Sequence, residues 1–247
     1  MESLKGKTAL VVGASRGLGR GVAESFANEG AQVVAIARDT SALAELSARN
    51  VQAVAADAAD PTVAGVLLER HHPDVVALVA GAMPVLKPFH LQTWEAFSTH
   101  WNVDVRIAFN WLSQCLLLPL RPGSRVIVMS SGAALAGSPV SGGYAGAKAT
   151  VRFMSAYARE ESERGGLGIT VVSVLPRITA ATELGQLAVA AYAARYGTTE
   201  EEYLKRMGVP VTPEVAGAAF VKLATEVPAP TSAAYTLSGE GLQPIQP

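Results

Sequence analysis

Three residues with side chains suited to carbonyl chemistry lie within one short stretch of the sequence, at Ser131, Tyr144 and Lys148. If the segment after the glycine pair Gly142-Gly143 is helical, Tyr144 and Lys148 lie one turn apart on the same face. A phenol ordinarily titrates near pH 10, and a fixed cation beside it favours the ionised form. The pair is therefore a candidate general acid and base.

The serine lies just beyond an apolar run, Val126 to Ser130, which predicts a buried strand. Open parallel sheets bind ligands outside the carboxyl ends of their strands. Ser131 is thus placed to hold a substrate carbonyl oxygen. The spacing of Tyr144 and Lys148 alone also occurs on solvated helix faces, so the serine upstream adds most of the specificity.

The N-terminal part of the chain predicts a strand, a glycine-rich turn, a helix and a second strand that ends near Ala37. Glycines let the backbone approach a pyrophosphate, and the helix N-terminus supplies free N–H groups and a favourable dipole. The candidate cofactor contacts in this turn are Gly13, Ser15, Arg16, Gly17, Leu18 and Gly19.

The turn Gly13-x-x-x-Gly17-x-Gly19 and the Ser131, Tyr144, Lys148 set together resemble the short-chain dehydrogenase/reductase family over essentially the whole chain. The resemblance implies a single Rossmann-type domain over residues 1–247, an α/β fold with a doubly wound parallel sheet of about seven strands in three layers. The alternation of strand and helix patterns agrees. The family resemblance also implies hydride transfer between a nicotinamide cofactor and a carbonyl or alcohol group.

By that resemblance, Tyr144 is the general acid and base, Ser131 stabilises the substrate oxygen, and Lys148 binds the nicotinamide ribose. A long amphipathic helix is predicted over residues 92–118. Within it, Asn102 resembles the active-site asparagine that bends this helix and holds a water linking the lysine to solvent.

Further cofactor contacts are implied by the same family pattern. Asp57 corresponds to an aspartate that contacts the adenine ring, although a structural cap is an alternative. Ala80 and Gly81 keep the end of the family's NNAG motif. After the sixth strand the pattern implies contacts from Pro176 and Ile178, with Thr179 beside them.

Val12 stands where the family usually has Thr, and three further positions depart from the family pattern closer to the candidate site. Leu78 and Val79 replace the two asparagines of NNAG, so apolar packing must replace their hydrogen bonds, and Arg177 replaces an expected glycine. These departures motivate an alternative function, a non-catalytic NAD(P)-binding regulatory protein with a reductase fold.

The end of the second strand favours NADP(H) over NAD(H). An acidic residue there would bond the ribose 2′-hydroxyl, but this chain has Ala37 followed by Arg38. Arg16 in the glycine turn is a second guanidinium that could converge on a 2′-phosphate. Asp39 could cap a helix beginning near Ser41 or engage Arg38.

Residues of about 180–210 are rich in Ala, Leu and Tyr. The family resemblance implies that they form a lid over the substrate, and their apolar side chains favour a hydrophobic carbonyl or alcohol compound. The net charge of −1 argues against nucleic acid or an anionic membrane as partner. No membrane span, signal-peptide layout or metal-ligand spacing is found, and the single cysteine fits the cytoplasm. The family pairs through helices such as those expected at 92–118 and 143–164, which implies a homodimer or homotetramer.

Overall fold

The computed structural model describes residues 2–44 and 50–246. It contains one β-sheet with helices on both faces. In these ranges the sheet has eight strands in the order β3-β2-β1-β4-β5-β6-β7-β8. The strands are β1 Thr8–Val12, β2 Gln32–Ala37, β3 Val51–Ala55, β4 Val75–Leu78, β5 Arg125–Met129, β6 Thr170–Pro176, β7 Ala234–Ser238 and β8 Gly241–Pro244. All neighbours are parallel except β7 and β8, which are antiparallel. The predicted doubly wound fold is confirmed.

The helices alternate with the strands as the sequence predicted. They are α1 Gly17–Asn28, α2 Pro61–His71, α3 Trp94–His100, α4 Arg106–Leu117, α5 Ala133–Ala136, α6 Gly142–Arg164, α7 Glu183–Tyr196, α8 Glu200–Met207 and α9 Pro213–Thr225, with a π-helical turn at Trp101–Val105 and a short 3-10 helix at Phe89–Leu91. None of the helices in the described ranges is long and apolar enough to cross a membrane.

The eighth strand was not predicted. It runs back along β7 after a tight turn in which Gly241 has a φ of 110°, a conformation that favours glycine. Its four residues, GLQP, carry little of the apolar alternation that marks a strand. The strand therefore depends on pairing with the sheet edge rather than on its own pattern.

Each face of the sheet has its own buried core. One core contains Phe26 of α1 and Phe220 of α9, and the other contains Trp111 of α4. Strands in the centre are buried on both sides, which explains their nearly continuous apolar runs. Leu78 packs in the second core and Val79 against the first, so apolar contacts fill the positions of the family's two asparagines.

The order of the strands places the candidate site. The chain moves outward from β1 in one direction through β2 and β3, and in the other through β4, β5 and β6. Ligands bind outside the carboxyl ends of the strands at such a reversal. The glycine turn after β1, Gly81 after β4, Ser131 after β5 and Arg177 after β6 lie beyond these strand ends.

The predicted single helix over 92–118 is interrupted. In the π-helical turn the N–H of Arg106 bonds to the carbonyl of Trp101, five residues back, instead of the usual four. The turn adds one residue to the helical path and rotates α3 relative to α4. An apolar periodicity read from sequence does not reveal such an insertion.

Glycine lets α6 lie close to α3, and this contact gives the first prediction. A Cβ on Gly143 would overlap the Phe97 carbonyl, whereas a Cβ on Gly142 would lie 3.5 Å from the Phe97 ring, an ordinary contact. We expect Gly143→Ala to lower the free energy of unfolding by about 2 kcal/mol through overpacking. Urea unfolding followed by tryptophan fluorescence measures this.

Gly142→Ala is the matched control, since it adds the same methyl group one residue earlier. It should leave the free energy of unfolding unchanged or raise it by up to about 1 kcal/mol, because alanine favours the helix. Equal losses in the two variants would contradict close packing at Gly143.

Candidate active site

Helix α6 carries Tyr144 and Lys148 in its first two turns, as predicted. Tyr144 is half-buried, and Lys148 is buried. The Lys148 Nζ lies 5.7 Å from the centroid of the Tyr144 ring. An ammonium group is therefore held beside the phenol, which is the geometry that the sequence spacing required.

Lys148 has a buried carboxylate as its partner. Its Nζ lies 3.1 Å from Asp104 Oδ1 and donates a hydrogen bond of 3.3 Å to the Met129 carbonyl. The side chain of Lys148 is 6% exposed and that of Asp104 0% exposed. Burial is the largest single influence on the pKa of Lys148 and would lower it, but the contact with Asp104 and the charge of Tyr144 together outweigh burial and raise the pKa.

Asp104 is held from three directions. Its Oδ2 accepts the Ala82 N–H at 2.9 Å and lies 3.1 Å from Nδ1 of the buried His100. Burial would raise the pKa of Asp104, yet the charge of Lys148 and these hydrogen bonds lower it to about 2. Asp104 is thus an anion at neutral pH and the counter-ion of Lys148.

The resemblance implied that Asn102 holds a water linking the lysine to solvent, but the residue of this stretch that faces Lys148 is Asp104. Asn102 is exposed, whereas Asp104, two residues further along the π-helical turn, points inward and contacts Lys148. The sequence carried one signal that was missed: His100 and Asp104 stand four positions apart, so they can share a helical face. The π-helical turn determines which residue of this stretch faces Lys148.

Two adjacent serines at the end of β5 differ in their contacts. Ser131 is half-buried, and its Oγ accepts the Ala133 N–H at 3.2 Å. Ser130, which the sequence pattern did not single out, is buried, and its Oγ donates to the Lys148 carbonyl at 2.7 Å. Ser130 therefore fastens α6 to β5, while Ser131 stands at the strand end as predicted.

The glycine turn lies close to the end of β4. Gly13 and Gly17 have φ values of 91° and 56°, in the region that favours glycine. A Cβ on Gly13 would lie 2.6 Å from the Ala80 Cα, and one on Gly19 would overlap the Gly13 carbonyl. Helix α1 begins without a side-chain cap. Its first N–H groups are therefore not capped by a side chain, as a phosphate site at a helix N-terminus requires.

The remaining residues of this turn are partly accessible. Ser15 and Leu18 are half-buried, and Leu18 packs against the first core. Arg16 is exposed and forms an ion pair with Glu183, the first residue of α7. The Arg16 guanidinium therefore lies toward α7. Its convergence with Arg38 on a 2′-phosphate stays a prediction.

Arg38 lies exposed just after β2. Asp39 Oδ1 accepts the Ser41 N–H at 2.8 Å, a local bond at the beginning of the helical segment that Asp39 was expected to cap. Residues 45–49, into which the helix expected near Ser41 would run, lie outside the described part of the chain. An exposed arginine therefore follows β2 directly, where an acidic side chain would bond a ribose 2′-hydroxyl.

The other predicted cofactor contacts lie at the same edge of the sheet. Asp57 is exposed, with its Oδ1 accepting the Ala59 N–H at 3.0 Å. A Cβ on Gly81 would lie 2.6 Å from Asp104 Oδ1, so Gly81 borders the buried ion pair. Pro176 ends β6, and the exposed Arg177 continues the backbone pairing by donating its N–H to Leu237 at 2.9 Å. The arginine therefore does not disrupt the sheet.

The expected lid consists of α7 and α8. Ile178 and Tyr192 pack against its own small core, which includes Tyr203. The rings of Tyr192 and Tyr203 are stacked, with centroids 5.7 Å apart. The Tyr192 hydroxyl donates to Ser138 Oγ at 2.6 Å, which fastens the lid to the loop between Ser131 and Tyr144. Stacked tyrosine rings thus lie next to the loop that precedes α6.

The depressed pKa of Asp104 gives a prediction for acid stability. A carboxyl group that titrates at about 2 when folded and near 3.9 when unfolded stabilises the folded state above pH 4, and that stabilisation falls as the pH drops toward 2. We expect Asp104→Asn to lower the free energy of unfolding at pH 6 by about 3 kcal/mol. The difference from the wild type should shrink by roughly 1 kcal/mol at pH 3.

Urea titrations of both proteins at pH 6 and pH 3 measure this. Glu95→Gln, at an exposed carboxylate on α3, serves as the control and should cost under about 0.5 kcal/mol. A constant difference between wild type and Asp104→Asn at both pH values would show that the pKa of Asp104 is not lowered in the folded protein.

Comparison with known proteins agrees with this geometry. The family model described as short chain dehydrogenase matches residues 7–192. The hydroxynaphthalene reductase-like protein Arp2 of Metarhizium brunneum is 36% identical over 188 residues, covering 70% of this chain and 68% of its own. A short chain dehydrogenase from Burkholderia cenocepacia, solved with NADP, is 25% identical with a TM-score of 0.79, covering 96% of this chain and 98% of its own.

The fold also matches the 3-ketoacyl-(acyl-carrier-protein) reductase of Brucella melitensis, solved with NADH. The TM-score is 0.79 at 22% identity, and the match covers 96% of this chain and 98% of that one. The family match extends over most of the chain, from the glycine turn through the helix that carries Tyr144 and Lys148 and into the lid. The chain therefore belongs to the short-chain dehydrogenase family of oxidoreductases.

Proposed function

We propose that this protein is an NADPH-dependent reductase that converts a hydrophobic ketone or aldehyde to an alcohol, or catalyses the reverse oxidation. The observation that carries the proposal is the buried, charged Lys148 held beside the ring of Tyr144 at the carboxyl edge of the sheet. A phenol next to a fixed ammonium group is suited to proton exchange with a carbonyl oxygen.

The residues present fit a nicotinamide dinucleotide. The first turn of α1 is uncapped and comes after a glycine turn with no side chain at Gly13, Gly17 or Gly19 to cover it. Arg38, together with Arg16, would hold a 2′-phosphate, Asp57 the adenine, and Gly81, Pro176 and Ile178 the nicotinamide end. Such a cofactor supplies, when bound, the hydride that reduces the carbonyl carbon.

The side chains of the chain carry out the proton chemistry. In reduction, the Tyr144 hydroxyl donates its proton to the oxygen of the carbonyl as that oxygen gains negative charge. Ser131 Oγ donates a hydrogen bond to the same oxygen and stabilises the charge. Lys148 stabilises the phenolate that Tyr144 leaves behind, and in alcohol oxidation the phenolate takes the proton back.

The side chains of the proposed lid favour a hydrophobic and flat substrate. The rings of Tyr192 and Tyr196 on α7 and of Tyr203 on α8 are stacked on one another. Leu187, also on α7, is 50% exposed. Flat aromatic surfaces favour stacking against aromatic rings. A relative named for a hydroxynaphthalene supports an aromatic carbonyl compound as the substrate class.

We further propose that the protein works as a homodimer or homotetramer in the cytoplasm. Large apolar side chains are exposed on the helices that pair in the family, including Trp94 of α3, Phe109 of α4, and Phe153 and Tyr157 of α6. Pairing of these faces would cover them. The lone cysteine, Cys115, is buried and unpaired, consistent with a reducing compartment.

The central test is Tyr144→Phe, which removes the proton donor and keeps the ring. We expect kcat/KM for the best aromatic ketone to fall by at least about 100-fold, because general acid catalysis of this kind contributes that much. Oxidation of NADPH followed by its absorbance measures the rate. NADPH binding by the variant confirms that it is folded.

Tyr157→Phe is the matched control, since it removes a hydroxyl group from an exposed tyrosine on the same helix. Its kcat/KM should be unchanged within about twofold. Unchanged activity in Tyr144→Phe would refute the assigned acid. NADPH binding without turnover of any carbonyl compound would favour the non-catalytic regulatory protein instead.

Arg38→Asp tests the cofactor preference. We expect the wild type to bind NADPH more tightly than NADH, and the variant to lose at least about tenfold in NADPH affinity, because a carboxylate repels the 2′-phosphate that a guanidinium attracts. Titration of nicotinamide fluorescence measures both affinities. Arg70→Asp, at an exposed arginine at the end of α2, should leave the preference intact. Equal affinities of the wild type for the two cofactors would contradict the assignment.

A further inference from the structure

We propose that Asp104, held by His100 and by the Ala82 N–H, is the positioning residue that keeps Lys148 charged and fixed beside Tyr144. The inference rests on the proposed function for its catalytic consequence, but the ion pair itself can be tested without a substrate. Asp104 touches Lys148 rather than the reacting groups, so its effect on the reaction passes through the lysine.

The Lys148 ammonium is isolated from water. Its side chain is 6% exposed, and among the described residues the Nζ donates a single hydrogen bond, to the Met129 carbonyl at 3.3 Å. A neutral carbonyl at that distance does not compensate for the lost hydration of a charge. The charged state of Lys148 therefore depends on the carboxylate of Asp104.

Asp104 is itself fixed in place. Its Oδ2 receives the Ala82 N–H and lies against His100 Nδ1, while Oδ1 lies 3.1 Å from the lysine and, within the described chain, accepts no hydrogen bond of good geometry. The contact with Lys148 is thus mainly electrostatic. Two anchors on Oδ2 hold Oδ1 against the ammonium, and Gly81 has no side chain to displace it.

His100 links the ion pair to Tyr144. The His100 ring meets the Tyr144 ring edge-on, with centroids 5.2 Å apart and planes at 80°. His100 therefore contacts both the anchor of the lysine and the ring of the proton donor. Asp104 and Tyr144 are the ionisable side chains whose charges act on Lys148, and Lys148 and His100 are those that act on Asp104. The four side chains form one continuous cluster.

The charge of Lys148 determines the expected pH dependence. With Asp104 present, the pKa of Lys148 is raised, so the lysine stays charged through the alkaline range. Without the carboxylate, burial dominates and lowers the pKa, so that Lys148 loses its proton at a lower pH. Neutral lysine stabilises a phenolate less, and the alkaline limit of the reaction should therefore move toward neutrality.

A substrate-free experiment tests the ion pair. The midpoint temperature of unfolding is measured at pH 7 and pH 9.5 for the wild type, Asp104→Asn, Lys148→Met and the double variant. In Asp104→Asn, Lys148 keeps its proton up to a pH of about 10.4 in the unfolded chain but loses it at a lower pH in the folded protein. Between these two pH values the unfolded chain therefore binds more protons than the folded protein. Stability then rises with pH, so its deficit against wild type should shrink by roughly half at pH 9.5.

The double variant has neither charge and should melt above Asp104→Asn at pH 7, with no shrinking deficit at pH 9.5. If Asp104→Asn alone fails to fold, the comparison still tests the proposal, because replacing the unpaired Lys148 in the double variant should restore folding. An equal deficit of Asp104→Asn at both pH values, or a double variant no more stable than Asp104→Asn, would overturn the proposal.

Activity supplies the second readout. The alkaline limb of the kcat/KM profile should move down by about one pH unit or more in Asp104→Asn, and Glu95→Gln should leave it in place. A uniformly lower rate with an unmoved limb would mean that Asp104 is only structural. Absence of turnover in the wild type would refute the proposed function and leave the unfolding experiment to judge the ion pair.

Discussion

The structure of the site depends on one constraint: a buried ammonium group needs a buried anion. Lys148 lies almost wholly out of solvent, and the carboxylate of Asp104 at 3.1 Å is its counter-ion. An unpaired charge in such a place costs several kcal/mol (order of magnitude). The backbone around it is arranged to supply the anion, since the π-helical turn at Trp101–Val105 points Asp104 inward and the N–H of Ala82 holds it there.

The ion pair of Lys148 and Asp104 requires two helical elements to pack closely against each other. Asp104 and Lys148 belong to different helical elements, and the pair can form only where those elements approach closely. Glycines make the approach possible: a Cβ on Gly143 would overlap the Phe97 carbonyl, and one on Gly146 would lie 2.8 Å from the Trp101 ring. The glycines around Tyr144 therefore serve the packing of α6, and through it the position of the lysine.

Helix α7, in the segment expected to form a lid, contacts two parts of the candidate site. At its beginning, Glu183 pairs with Arg16 of the glycine turn, and the Thr182 side chain lies 3.3 Å from the position of a Cβ on Gly17. Further along, Tyr192 bonds to Ser138 in the loop that precedes α6. The lid thus contacts the part of the site suited to phosphates and the part suited to carbonyl chemistry.

The sequence by itself determined the fold class, the glycine turn, the strand-end serine and the spacing of Tyr144 and Lys148, because these depend on periodicity and on residues near one another in the chain. Tertiary structure decided that Asp104, not Asn102, faces the lysine, that Ser130 fastens α6, and that an eighth strand completes the sheet. One extra residue in a helix rotates the next turns by about 100°, and only the packing against α6 shows where that rotation occurs.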